Sequence, residues 1–390
     1  MDTNGRIEIK GFDWGPAVTG VILKSEGANP DKASFKVTEE KKNKKDTLTF
    51  ERIITDAYYS DESGNRTDKK SGFISLELRY GPEEGSPMYF DHTTGYNNWF
   101  DYLLKISVEG GAEILLNNDQ FYFPETEGVN LSDKFTGSEG YTFSYASYTP
   151  KNASETNKRP LVIWIHGMGE GGDDPLIVLY GNKVVSLFGE EFQNIMDGAY
   201  VLATQTPTLW LQYKKEDTAS WLKNRGEDSI YLKDLMELID KFAGENHVDK
   251  KRIIVGGCSN GGFMTMDLIL NYPDYFAAAY PICEAFYPKK LKKDNLLPIK
   301  NLPMWFVYAK NDITVPPAKY EKPLLKMLDK IEADNVIVSE FEDVHDTSGQ
   351  FVKDGKPVQY FGHFSWIYFF NNDCIENGVS IWKWMSERTK

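Results

Sequence analysis

Ser259 stands in Gly257-Cys258-Ser259-Asn260-Gly261-Gly262, a G-x-S-x-G pentapeptide with a further glycine behind it. The apolar run 252–255 precedes it as a strand would, and residues 261–270 follow with helical periodicity. A serine on the turn between a strand and a helix presents its hydroxyl outward, and flanking glycines remove the Cβ atoms that would hold the two backbones apart. The pentapeptide alone also describes an ordinary glycine-serine loop. The strand before it and the helix after it are what favour a nucleophile. Because a hydroxyl attacks poorly at neutral pH, Ser259 then needs a base within hydrogen-bond reach and an acid to orient that base.

When the nucleophile sits on such a turn, its acid and base follow in the order Ser, Asp, His. Of the five histidines only His345 and His363 lie downstream; His92, His166 and His247 come too early. His363, in Gly362-His363-Phe364-Ser365-Trp366, occupies a loop beyond the last core strand and is the expected base. His345, set among acidic residues in Asp343-Val344-His345-Asp346, is its rival. For the acid, the stretch 304–308 reads as a strand, and Asp312 lies in the loop after it, Lys310-Asn311-Asp312-Ile313-Thr314-Val315-Pro316. A turn aspartate capping its own loop is the plainer reading, but chain order and strand end favour the catalytic one.

Two backbone N–H groups must also face the charge that develops on the substrate oxygen. One is the amide of Asn260, next to the nucleophile; the other is expected from Met168, in His166-Gly167-Met168-Gly169-Glu170-Gly171-Gly172. That glycine loop could instead cradle phosphate, but it lacks the lysine and Ser/Thr of a P-loop, and Asp173-Asp174 would repel the anion. Trp210, Trp221, Glu170, Gln205, Glu284 and Phe286 fall in loops or strand ends near the expected rim. Glu170, Trp221 and Glu284 are taken as candidate substrate contacts, although aromatic residues at strand ends are more often packing. Cys258 should point away from the site if Ser259 points in, which makes it a small buried residue and not a thiol nucleophile.

These loops need elements to hold them. Residues 6–120 show short β-type stretches, 18–23, 33–37, 47–54, 73–78 and 102–108, separated by Gly, Asn, Asp and Ser. Such spacing predicts an all-β sandwich of immunoglobulin type over 1–125. A Pro-, Gly- and Asn-containing stretch at 124–133 marks the boundary. Over 126–390 apolar runs at 141–148, 161–165, 200–203, 252–255, 277–282, 304–308 and 336–341 alternate with helical patterns at 230–242, 261–270, 320–331 and 379–387. Strands alternating with helices predict a mostly parallel sheet with helices on both faces, an α/β fold.

The chain has 390 residues, enough for two cores, and 41% hydrophobic against 26% charged residues, an ordinary globular balance. Lys plus Arg number 44 against 58 acidic residues, and the net charge of −14 repels nucleic acid. The lysine runs at 41–45 and 289–293 are short and read as solvated loops. Three cysteines give neither a disulfide framework nor a zinc site. No apolar run is long enough to span a membrane, and residues 1–6 carry no apolar signal core. We expect a secreted chain without its signal peptide, with a cytoplasmic protein as the alternative.

The stretches His166-Gly167-Met168-Gly169-Glu170, Gly257-Cys258-Ser259-Asn260-Gly261-Gly262, Asp312 ahead of Val315-Pro316, and Gly362-His363-Phe364-Ser365-Trp366 together resemble a group of bacterial carboxylesterases. Those enzymes carry an immunoglobulin-like domain before an α/β-hydrolase domain and are related to prolyl oligopeptidase-type and polyhydroxybutyrate depolymerase-type hydrolases. Gly11-Phe12-Asp13-Trp14-Gly15-Pro16-Ala17, residues 200–207 and Tyr272-Pro273-Asp274-Tyr275-Phe276 extend the likeness over nearly the whole chain. It implies hydrolysis of carboxylic esters without a cofactor, with Ser259, Asp312 and His363 as triad. The substrate would be a small-molecule or polysaccharide-linked ester, and the sandwich domain would shape the site mouth or join subunits of a homo-oligomer. Two departures stand out: Cys258 and Asn260 where the family often has Leu or Gly and Met, and an apparent insertion at 347–356.

Overall fold

Strict alternation in Gly5–Phe12 (β1) turns Ile7 and Ile9 fully inward and leaves Arg6, Glu8 and Lys10 half-buried, the signature of a strand with one face on a core. The computed structural model describes residues 5–24, 29–68, 70–108, 111 and 113–390, so the residues 1–4 of the expected signal-free start lie outside them. Two compact units divide the chain, Met1–Glu127 and Gly128–Lys390, two residues beyond the expected boundary.

The first unit holds Gly15–Lys24 (β2), Phe35–Lys42 (β3), Thr47–Arg52 (β4), Ile54–Ser60 (β5), Phe73–Leu78 (β6), Met88–Asp91 (β7), Tyr96–Trp99 (β8), Asp101–Val108 (β9), Ile114–Asn117 (β10) and Phe121–Tyr122 (β11). One sheet runs β11-β1-β2-β6-β5 and another β10-β9-β3-β4, with β7 and β8 as a separate hairpin. The expected strand 47–54 is two: the chain leaves one sheet at Arg52 and joins the other at Ile54. Being an edge, β4 leaves Leu48 and Phe50 exposed despite their alternation. Inside the unit Arg52 is buried, donating to Glu39 Oε2 at 3.1 Å and to the carbonyls of Val18 (3.1 Å) and Arg79 (2.7 Å).

In the second unit the strands are Val129–Thr136 (β12), Thr142–Tyr148 (β13), Arg159–Ile165 (β14), Tyr200–Gln205 (β15), Val248–Cys258 (β16), Ala278–Ile282 (β17), Met304–Ala309 (β18) and Val336–Phe341 (β19). They form one sheet in the order β12-β13-β15-β14-β16-β17-β18-β19, antiparallel at β12, β13 and β15 and parallel from β15 onward. The helices are Pro175–Gly181 (α1), Glu190–Ile195 (α2), Leu232–Glu245 (α3), Asn260–Asn271 (α4), Lys293–Leu296 (α5), Glu321–Lys330 (α6), Trp366–Phe370 (α7) and Ile381–Ser386 (α8). Among the described residues no helix is long and apolar enough to cross a membrane.

The continuous apolar runs follow from burial on both sheet faces. Leu161, Ile163 and Ile165 of β14 join one core with Leu235 and Ile239 of α3, Phe263 and Met264 of α4, and Leu324 of α6. Trp164, between them, points to the other face and stacks on Phe369 (5.9 Å between centroids) and meets Phe370 edge-on (4.7 Å), both in α7. On β18, Met304 and Phe306 face the first core while Trp305 meets Trp384 of α8. Sequence periodicity did not reveal α1, α2 and α7, which are short and apolar on several sides. The expected helix at 379–387 starts at Ile381, because residues 379–380 first pair with Ile375–Glu376 in a small hairpin.

Candidate active site

At the C-terminal end of β16 the backbone turns at Ser259 with φ 56° and ψ −115°, and α4 begins at the next residue. A side-chain-bearing residue enters that region only at a cost of order 1–3 kcal/mol, so the surrounding structure must hold it there. It does so through three hydrogen bonds. Ser259 N–H donates to the Ile282 carbonyl (2.9 Å), and the Ser259 carbonyl accepts from Phe263 N–H (2.9 Å) and Ala285 N–H (3.1 Å). The turn also lies hard against β14: a Cβ on Gly261 would sit 2.0 Å from the Ile165 carbonyl oxygen. Ser259 itself keeps partial exposure, whereas Cys258 before it is fully buried, and burial raises its thiol well above the ordinary range. A buried, protonated thiol is chemically inert.

Asn260 opens α4, where the first amides have no partner within the helix. Its side chain is committed elsewhere, accepting from Leu211 N–H at 3.0 Å. The glycine loop after β14 is tied to the end of β15 through His166. That ring has no exposed surface, donates from Nδ1 to the Gly167 carbonyl (2.6 Å) and accepts at Nε2 from Thr206 N–H (3.1 Å). Burial pulls its pKa down to about 4, against the raising effect of the Gly167 carbonyl. Gln205 adds a bond to the Glu170 carbonyl (2.9 Å), and Gly172 N–H one to the Thr206 carbonyl (2.9 Å). Met168, half-buried, begins a short 3-10 turn, Met168–Glu170, on this braced loop.

Asp312 and His363, 51 residues apart, are joined by a 2.6 Å hydrogen bond from His363 Nδ1 to Asp312 Oδ2, with both side chains buried. The other oxygen of Asp312 accepts from Thr314 N–H (2.8 Å) and Val315 N–H (2.9 Å), so the loop-capping and the histidine-orienting readings both hold, one for each oxygen. With Nδ1 occupied as a donor, the neutral ring keeps Nε2 as a proton acceptor. The rival His345 has its own aspartate, Asp343, at 2.7 Å, but that pair is about two-fifths exposed and Tyr368 also reaches the same ring nitrogen (3.3 Å). The apparent insertion is a small exposed hairpin, Val352–Lys353 with Lys356–Pro357, held at its base by Asp346.

Of the candidate substrate contacts, Trp221 is half-buried in the turn Ser220–Lys223, Glu170 is buried on the glycine loop, and Glu284 has no exposed surface. Glu284, Trp210 and Gln205 therefore form no rim in this structure; they lie beneath it, in positions that loop assignment from sequence does not distinguish from a surface. Among the described residues no group of three or more His, Cys, Asp or Glu is arranged to hold a metal ion.

A mostly parallel sheet with a serine on a strained strand-to-helix turn and a buried Asp-His pair on later loops is the architecture of the α/β-hydrolases. Residues 9–122 match the family described as the esterase Ig-like N-terminal domain, and residues 219–302 match the prolyl oligopeptidase family. The chain thus carries an esterase-associated immunoglobulin-like domain ahead of an α/β-hydrolase fold. Its structure is similar to one described as a thermostable esterase, with a TM-score of 0.78 and 24% identity over 99% of this chain and 100% of that one, a likeness of fold. Weaker likenesses include a ferulic acid esterase (TM-score 0.42, 11% identity, 56% of this chain and 91% of that one). Another is an S-formylglutathione hydrolase from Agrobacterium tumefaciens (TM-score 0.43, 13% identity, 67% and 95%). At such scores they carry no argument about substrate. A comparison with curated proteins finds no match.

Proposed function

We propose that the chain is a serine carboxylesterase working through an acyl-enzyme, with Ser259 as nucleophile, His363 as base and Asp312 as its orienting acid. The observation that carries this reading is the buried 2.6 Å bond from His363 to Asp312, which commits Nδ1 as donor and leaves Nε2 to take a proton. His363 removes the Ser259 hydroxyl proton as Oγ attacks the ester carbonyl, and the resulting oxyanion rests on the amides of Met168 and Asn260. Collapse expels the alcohol, which leaves with the proton from His363. Water, deprotonated by the same ring, then attacks the acyl-enzyme, and its collapse frees the acid and Ser259.

Ser259→Ala should abolish turnover of p-nitrophenyl acetate while leaving the circular dichroism spectrum unchanged; retained turnover would sink the mechanism. His363→Ala should lose far more activity than His345→Ala. The prolyl oligopeptidase match over residues 219–302 favours a second reading, a serine peptidase. A faster turnover of an aminoacyl-p-nitroanilide than of the acetate ester would put that reading first. Feruloyl and acetyl-xylan esters, beside short acyl esters, test whether the natural ester is linked to a plant polysaccharide. A secreted site of action and assembly of subunits through the first unit complete the proposal, read by fractionation of culture medium and by sedimentation.

A further inference from the structure

Two buried glutamates take no part in the chemistry proposed above. Glu284 lies on the segment that brackets the nucleophile, between Ile282, whose carbonyl holds Ser259 N–H, and Ala285, whose N–H holds the Ser259 carbonyl. The first turn of α4 rests on its backbone, since a Cβ on Gly262 would fall 2.7 Å from Glu284 Cα. Its Oε2 accepts from Phe286 N–H at 2.5 Å, but Oε1 is buried without a hydrogen-bond partner. Glu321 opens α6, the helix that follows the Asp312 loop. It is 1% exposed, and both of its carboxyl oxygens are buried without a partner.

Among the described residues no cation is paired with either group. The charges acting on them are acidic: Glu284 feels Glu321, and Glu321 feels Asp312. From the neighbouring strands, Cys283 at the end of β17 faces Asp312 and Glu321, and Tyr308 of β18 faces Glu321 and Glu340. Tyr308 donates its hydroxyl to Glu340 (2.8 Å), and Lys322, next to Glu321 in sequence, is drawn to Glu340 as well (2.9 Å). Asp312 has two backbone N–H donors and His363; neither carboxyl oxygen of Glu321 has a hydrogen-bond partner. An ionised carboxylate in such a place costs several kcal/mol, and the group escapes by keeping its proton. Burial first, and then the neighbouring acid, push both glutamates well above the usual carboxylate range.

We propose that Glu284 and Glu321 are a positioning pair for the triad assigned above, both uncharged at neutral pH. In that state the segment bracketing Ser259 and the helix after the Asp312 loop pack against Asp312 without gathering three negative charges in one dry space. The inference rests on that triad reading for its catalytic meaning, but not for its protonation chemistry. A folded-state pKa raised above the unfolded value gives stability that is complete below the ordinary glutamate range and is lost as pH rises through the folded value. Ionisation then sets like charges against Asp312 and loosens the two segments together, so turnover fails on the alkaline side by a fall in kcat.

The full chain is compared with Glu321→Gln and Glu321→Ala between pH 5 and 9, by thermal unfolding and by kcat and KM for p-nitrophenyl acetate. Glutamine keeps the shape of the neutral acid and cannot ionise. It should flatten the alkaline fall in thermal midpoint and give at least tenfold higher kcat than alanine at pH 7. Parallel midpoint profiles for wild type and Glu321→Gln would overturn the proposal. If both variants fail to fold, infrared difference spectra of the wild type decide: a carbonyl band of protonated carboxylic acid at pH 7, bleaching toward pH 9, is expected, and its absence refutes the pair. The unfolding and infrared measurements, repeated in Ser259→Ala, need no turnover, so they separate failure of the pair from failure of the triad.

Discussion

At φ 56° the Ser259 backbone occupies a region that glycine enters freely and serine does not. Ser259→Gly should therefore end turnover and yet stabilise the chain by about 1 kcal/mol, the relief of strain less the extra freedom glycine has when unfolded. Urea denaturation reads this directly, and a loss of stability would show that the elbow is not strained. His166 gives a second expectation. Between its ordinary value near 6.5 and about 4, the unfolded chain binds a proton that the buried ring refuses, so stability falls as pH falls through that window. The loss amounts to roughly 3 kcal/mol once both limits are passed. Thermal unfolding of His166→Gln at pH 4 and 7 should show a smaller difference than the wild type.

Among the elements, β14 and α4 approach at Gly261 too closely for any side chain. Gly261→Ala puts a methyl 2.0 Å from the Ile165 carbonyl oxygen, and the helix start must move off the strand. A cost of about 3 kcal/mol or more is expected in chemical denaturation, at the upper end for overpacking, together with loss of the proposed esterase activity as the Asn260 amide shifts from its proposed place facing the oxyanion. This contact was legible only in part. The glycines announced close approach, but their partner strand lies far upstream, and no local pattern names it. The same holds for Glu284, whose loop position suggested a rim while the packing of α4 and the Ile282–Ala285 bracket put it under cover.

For the molecule as a whole, the first unit has a weak point that the sequence concealed. Arg52 and Glu39 are charged, yet each side chain is only 1% exposed in their ion pair. Arg52→Ala removes its bonds to Glu39 and to the carbonyls of Val18 and Arg79 and leaves Lys41, 3.1 Å from Glu39 Oε1, to face that buried carboxylate, so it should destabilise the unit by roughly 3 kcal/mol, the low end for breaking a buried pair. Faster hydrogen exchange over Phe35–Lys42 and Thr47–Arg52 in the full chain checks it. The all-β and alternating strand-helix characters and the core strands β13 to β19 were readable in advance, whereas β1 was not and β12 lies partly in the stretch read as a boundary. The strand-turn-helix around Ser259 and its flanking glycines were readable too. All of these depend on periodicities and turn chemistry within a few residues along the chain. Tertiary structure alone decided which acids are buried without partners and where strand 47–54 breaks between sheets. Those choices depend on neighbours brought together by strand order, dozens of residues apart, and on the loss of water there, which no local pattern records.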